Sequence, residues 1–349
     1  MLVSNSILEW ERKLKSDGGN LYKNILVCYR VIDKLLDEEG SVGNVGGLLN
    51  EHNKVFEIVE KLQRCNTYKL DAREELLIQR YGETAYLVWA LYFKLDRKDI
   101  IRKNYKQWFE GEDFTGTSHF RNFEFESTVI LRFIEEDIEI DIISEKDFQG
   151  YPDLLATNSF YLECKRTTRF FGILSNVLKA LKQAKNVDKP TVAVLNLDYL
   201  YNEIEGVHIF MNRYHFLLIC SKIAEFAMGV EKSNLFGVVL EYINEYNQSE
   251  NGSNIIAIRN ENLNEEITEI QLEKNWRTIS NAFCGDNSLE FYVTSISCEN
   301  RFNDSNKADR KAFFNSIIIN EIKRILESEK EYIDKEKIDT IISLITEND

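Results

Sequence analysis

The feature that most constrains this fold is a change in the period of the apolar residues between Phe123 and Leu197. Residues 123–134 repeat at helical spacing. Ile138, Ile140 and Ile142 then alternate with Glu139 and Asp141, the two-residue period of a strand with one polar face. Residues 152–156 and 160–165 read as two more strands, joined by a turn at Thr157, Asn158 and Ser159. Residues 172–186 return to helical spacing, and residues 191–197 form a further apolar strand. The order helix, three strands, helix, strand predicts an α/β layered structure.

The flanks carry different patterns. Residues 1 to about 115 read as helices: Leu21, Ile25, Leu26, Tyr29, Ile32, Leu35 and Leu36 share helical spacing, and residues 55–62 and 86–95 look helical as well. Gly40, Gly43, Gly46 and Gly47 mark a loop between them. No glycine-rich phosphate loop or other catalytic signature stands out here, so a helical scaffold or partner-docking domain is expected. The small, polar residues 115–118 make a junction. Later in the chain, residues 214–227 read as a helix, 236–243 as a buried strand, and 254–259 and 291–296 as strands. Residues 306–329 and 335–345 read as amphipathic helices. The expected organisation is a helical domain over 1–115, an α/β core with insertions over 116–300, and C-terminal helices over 301–349.

Composition narrows the class of protein. A chain of 349 residues predicts two or three domains. The six cysteines are scattered without a CxxC pair, which points away from zinc and disulfide frameworks and towards a reduced compartment. Residues 1–13 lack the pattern of a signal peptide, and the longest apolar run, 85–93, is about half the length of a membrane helix. A cytoplasmic protein without membrane association is expected, and the sequons at Asn247, Asn251 and Asn303 are then chance matches. His52, His119, His208 and His215 are isolated, with no metal-ligand spacing. The acidic run Glu135, Glu136, Asp137, Glu139, Asp141, Glu145 and Asp147 reads as a solvated face.

Chemistry concentrates between Arg121 and Lys185. Asp153 begins one strand, and Glu163 and Lys165 lie on the next. Side chains alternate along a strand, so Glu163 and Lys165 face the same way while Leu162 and Cys164 face the core. A hairpin brings Asp153 beside Glu163. Two adjacent carboxylates repel unless a cation lies between them, and hard oxygen ligands suit Mg²⁺ or Mn²⁺. On their own, Glu163 and Lys165 also fit a solvent-facing ion pair, and Asp153 a turn residue after proline.

Pro152-Asp153 followed by Glu163-Cys164-Lys165 resembles the signature of the PD-(D/E)xK nuclease superfamily, the restriction-endonuclease-like fold. The family's core order of helix, three-stranded meander, helix and strand is similar to the order read above. The resemblance covers residues 118–200. It implies that Asp153, Glu163 and the Cys164 carbonyl bind Mg²⁺, with Mn²⁺ as a substitute, and that Lys165 activates or orients water. It implies an acid on the first helix, where Glu126 is preferred to Glu124 because it shares a face with Phe123, Val129, Ile130 and Phe133. It also implies a functional glutamine on the second helix, a place that Gln183 fits.

The activity implied is that of a metal-dependent endonuclease, with DNA ahead of RNA as substrate and defence against foreign DNA as a role. The formal net charge of −15 runs against broad phosphate binding. Residues 161–190, however, carry seven lysines and arginines against Glu163 and Asp188 alone. Arg166, Arg169, Lys179, Lys182 and Lys185 are therefore the expected nucleic-acid contacts, with Lys179, Lys182, Lys185 and Lys189 on one side of a helix. The acidic remainder suggests that binding needs a partner subunit, a particular DNA structure or high divalent metal, and a protein partner or a second copy is expected through the helical domain. The rival expectation is a non-cleaving nucleic-acid-binding or sensor subunit that retains the fold.

Overall fold

The computed structural model describes residues 21–39, 48–65, 68–103, 119–143, 150–202, 204, 206–243, 253–264, 267–284, 290–292, 307–328 and 334–347. The loop at 40–47, the junction at 115–118, the three sequons, Glu145, Asp147, Cys298, the side chain of His119 and the end of the 291–296 strand lie outside the described residues. Among the described residues no helix is long and apolar enough to cross a membrane. The chain divides into two compact units, Met1–Asp137 and Ile138–Asp349.

The first unit is helical. It contains α1 (Leu21–Glu39), α2 (Leu48–Arg64), α3 (Ala72–Val88), α4 (Lys98–Lys103) and α5 (His119–Glu135), and a wider helical turn, Trp89–Lys94, extends α3. Asp71 starts α3 with a capping box: its carboxylate accepts from the Arg73 and Glu74 N–H groups, and Glu74 reaches back to the Asp71 N–H. Ile25, Ile32, Leu35, Val55, Tyr81, Ala85 and Val88 are buried at the helical spacing that the sequence shows. His52 Nδ1 shares a 2.5 Å hydrogen bond with the Tyr81 hydroxyl, and its ring stacks on Tyr29 at 4.2 Å.

The division falls after Asp137 and not near residue 115, because α5 is tied to α3 by side chains. Thr84 donates to the Glu124 carboxylate, and the Tyr86 hydroxyl donates to Glu135 at 3.3 Å. Asp137, at φ 54°, ends α5 with a left-handed residue.

The second unit is α/β. Its strands are β1 (Ile140–Ile142), β2 (Leu154–Ala156), β3 (Phe160–Arg166), β4 (Thr191–Asn196), β5 (Leu235–Ile243), β6 (Ser253–Arg259) and β7 (Glu290–Tyr292). They form one mixed sheet in sequential order. β1, β2 and β3 run as an antiparallel meander, β3, β4 and β5 are parallel, β6 is antiparallel to β5, and β7 is parallel to β6. The β2–β3 turn holds Thr157 and Asn158 at φ 50° and 51°, closed by the Ser159 N–H on the Ala156 carbonyl at 2.9 Å. Two successive left-handed residues match the twist of the flanking strands.

Between β3 and β4 runs α6 (Phe170–Ala184), and α9 (Arg213–Met228) follows the short helices α7 (Asp198–Asn202) and α8 (Val207–Phe210). Phe170, Leu174, Val177 and Leu181 give α6 an apolar stripe, which packs with Ala193 and Leu195 of β4 and Phe216, Cys220 and Ile223 of α9. The C-terminal helices α11 (Lys307–Phe313), α12 (Ile319–Ser328) and α13 (Lys335–Glu347) join this core through Phe314, Ile318, Leu326, Ile341 and Ile345. They are part of the second unit rather than a separate tail.

The opposite face of the sheet is covered by α10 (Glu269–Cys284), a helix that the sequence reading leaves out. Trp276 of α10 lies edge-on to Phe236 at 5.0 Å between ring centres, and Phe236 meets Phe160 at 6.0 Å. Gly237 is required at this contact: a Cβ there would fall 2.5 Å from both the Ile258 carbonyl oxygen and the Trp276 ring.

Candidate active site

β3 is a central strand, paired with β2 on one side and β4 on the other. Glu163 and Lys165 stand in register with Ala193 and Leu195 of β4, so all four side chains point to the face covered by α6. The sheet is covered on both faces, so Glu163 is not on a solvent-facing side. It is fully buried (0% exposed), so the alternative of a solvent-facing ion pair does not hold for it.

Three oxygen atoms converge on the Lys165 ammonium. Nζ lies 3.0 Å from Asp153 Oδ2, 2.7 Å from Glu163 Oε1 and 3.0 Å from the Cys164 carbonyl oxygen. Asp153 Oδ2 also accepts the Cys164 N–H at 2.8 Å, which fixes the carboxylate against β3. A second ammonium, Lys179 Nζ on α6, approaches Glu163 Oε1 at 3.5 Å from a half-exposed position. Among the described residues no hydrogen-bond donor reaches Glu163 Oε2.

The electrostatics follow from this geometry. Burial pushes the Glu163 carboxyl up, and Asp153 pushes it further, to about 7 despite the two lysines. Burial alone would lower Lys165, but Asp153 and Glu163 outweigh it and hold the ammonium well above its ordinary value. Lys165 is therefore a firm cation in this arrangement and has no free pair with which to take a proton.

Asp153 is held by more than its own strand. Gln183, buried on α6, donates from Nε2 to the Tyr151 carbonyl at 3.0 Å. Asn186 donates to the Gly150 carbonyl at 3.0 Å, and Gly150 takes φ 83°, a conformation that favours glycine. These two bonds pin the segment entering β2. Gln183 thus positions the backbone that carries Asp153. The part played by Asn186 is not visible in the sequence, since its partner is 36 residues away.

Of the site residues expected from the sequence, Asp153, Glu163, Cys164, Lys165, Lys179 and Gln183 meet in the second unit. Glu126 is buried on α5 of the first unit, and Glu124 on the same helix is engaged by Thr84. The basic strip is shorter than expected, because α6 ends at Ala184. Lys185 lies beyond the helix and is paired with Glu231 at 2.5 Å, and Lys189 sits 3.8 Å from Asp188 and 5.8 Å from the centre of the Tyr161 ring. Lys179 and Lys182 remain on the exposed side of α6, with Arg169 exposed at its start and Arg166 half-buried.

Among the described residues no three His, Cys, Asp or Glu side chains gather as a metal-binding group. Two carboxylates and a backbone carbonyl nonetheless match what Mg²⁺ asks of a protein, since it keeps several waters. Three oxygens surround one positive centre there, the Lys165 ammonium, and Glu163 Oε2 is left over. The donor set fits a small hard divalent cation. No family model, curated protein or solved structure matches the chain.

Proposed function

We propose that the chain is a metal-dependent nuclease, most suited to DNA, whose site is built by Asp153, Glu163, the Cys164 carbonyl and Lys165. The observation that carries this reading is the convergence of those three oxygens on one cationic centre at 2.7–3.0 Å. The meander β1–β2–β3, the helix α6 and the parallel strand β4 follow in the order that the PD-(D/E)xK nuclease resemblance implies after its first helix, which supports the reading. A role in defence against foreign DNA belongs to the same resemblance.

Asp153, Glu163 and the Cys164 carbonyl would hold Mg²⁺ or Mn²⁺. A bound divalent ion supplies an acidified water and polarises a phosphoryl oxygen. In the hydrolysis the water oxygen bonds to phosphorus and gives up a proton to solvent, one P–O ester bond breaks, and the leaving oxygen takes up a proton from solvent. Lys165 would orient or activate the water and offset the negative charge that builds on the phosphoryl oxygens. Gln183 and Asn186 keep Asp153 in place, and Lys179, Lys182 and Arg169 offer cationic groups to a phosphate backbone.

The complete burial of Glu163 favours a second reading, a subunit that binds nucleic acid without cutting it. One set of incubations separates the two. Linear DNA, circular DNA and RNA are treated with the protein under Mg²⁺ or Mn²⁺, with EDTA, Lys165→Ala and Glu163→Gln as controls. Metal-dependent cleavage that both substitutions abolish supports the nuclease. Absence of cleavage together with a gel shift in Ca²⁺ supports the binding subunit, and cleavage that survives Lys165→Ala rejects the site.

A further inference from the structure

We propose that the Lys165 ammonium occupies the cation position in the metal-free protein, and that a divalent ion enters by displacing it. Lys165 then sets the metal concentration at which the site loads. This rests on the metal-site reading above and adds a competition to it.

The geometry leaves no room for both cations. Nζ is 2.7–3.0 Å from Asp153 Oδ2, Glu163 Oε1 and the Cys164 carbonyl oxygen. A Mg²⁺ among the same oxygens sits about 2.1 Å from each. An ion there and an undisplaced ammonium would lie within roughly 3 Å, where like charges repel strongly in a poorly solvated site. The ionised oxygens need a cation beside them. Glu163 is fully buried, and an unpaired buried carboxylate is costly. The protein therefore exchanges one cation for another.

Two details make the exchange workable. Glu163 Oε2 has no donor among the described residues, so it adds a further oxygen for the ion that takes over as Lys165 leaves. The Lys165 side chain is 21% exposed and Lys179 is 54% exposed. Lys165 therefore has a route outward, and Lys179 remains to balance Glu163 Oε1 during the change.

The competition predicts that removing the ammonium tightens metal binding even though it ends cleavage. Mn²⁺ binding to the full chain is measured by electron paramagnetic resonance of the free ion, and melting temperature is followed with and without Mn²⁺. Lys165→Met is expected to bind Mn²⁺ about tenfold tighter than the wild type, or about 1.4 kcal/mol. Its melting temperature is expected to fall without metal and to rise more on adding Mn²⁺ than that of the wild type. Lys165→Gln, which keeps a polar end group, is measured in parallel so that poor folding of one variant does not decide the result. Lys179→Met is expected to change Mn²⁺ affinity less. Equal or weaker Mn²⁺ binding by both Lys165 variants overturns the displacement while leaving the metal site standing. No Mn²⁺ binding by any of the proteins overturns the metal site as well.

Discussion

Glu135 gives a quantitative test of the helical unit, independent of any catalytic role. It is 6% exposed at the end of α5 and accepts a hydrogen bond from the Tyr86 hydroxyl at 3.3 Å. Burial pushes its carboxyl up from 4.5 to about 7; Tyr86, Arg132 and Lys94 oppose the rise, and Glu136 adds slightly to it. At about 1.4 kcal/mol per tenfold change in proton affinity, the whole rise corresponds to roughly 3 kcal/mol. Screening by the solvent that still reaches the group reduces this to the order of 1–2 kcal/mol.

The sign follows from linkage. The folded protein holds the Glu135 proton to a higher pH than the unfolded chain does. The stability this brings is fully present below about pH 4.5 and is lost as pH rises through about 7. Glu135→Gln keeps the shape and removes the titration. The difference in unfolding free energy, wild type minus variant, should fall by about 1–2 kcal/mol between pH 5 and pH 8. Urea titrations followed by circular dichroism at each pH measure it, with the transition assigned to the first unit by the environment of Trp89, whose ring centre is 6.1 Å from that of Tyr86. Wild-type and variant stabilities that run parallel across this range would refute the assignment of the buried carboxyl.

Two further outcomes follow from the second unit. Gly237→Ala should destabilise it by about 3 kcal/mol, because the added methyl meets backbone at Ile258 as well as Trp276; Trp276→Leu in the same chain should recover only part of the loss in a denaturant titration. Gln183→Leu removes the donor to the Tyr151 carbonyl and should cost about 1–2 kcal/mol in the same assay, and in a cleavage assay it should lower the rate of the folded protein, since the segment carrying Asp153 is freed.

Much of the site was legible because its signals are local. The Glu-x-Lys spacing, the turn at Thr157 and Asn158, and the helical stripe of Phe170, Leu174, Val177 and Leu181 all lie within a few residues of what they determine. What was not legible depends on contacts between distant parts of the chain. Nothing near Lys185 announces Glu231, 46 residues on, and so the basic strip is read as longer than it is. Glu135 sits in a run of acids whose composition suggests solvent, yet Tyr86, 49 residues earlier, covers it. The apolar stripe of α10 is narrow, with Trp276, Ile279 and Phe283 buried beside exposed Ile270, and its role appears only against Gly237. The burial of Glu163 belongs to the same class, since α6 must fold back over β3 before the carboxylate is covered.

That burial gives a physical reason for the one-residue spacer between Glu163 and Lys165. A fully buried carboxylate beside Asp153 needs a positive charge within ion-pair distance while it is ionised. On a strand, only residues an even number of positions apart share a face. A lysine at position 164 or 166 would point with Leu162 and Val192 towards the face where Gly237 meets Trp276, away from both carboxylates. At position 165 the ammonium reaches back over the Cys164 carbonyl to both acids. The spacing that marks the site in the sequence is thus the one at which a strand can neutralise its own buried glutamate.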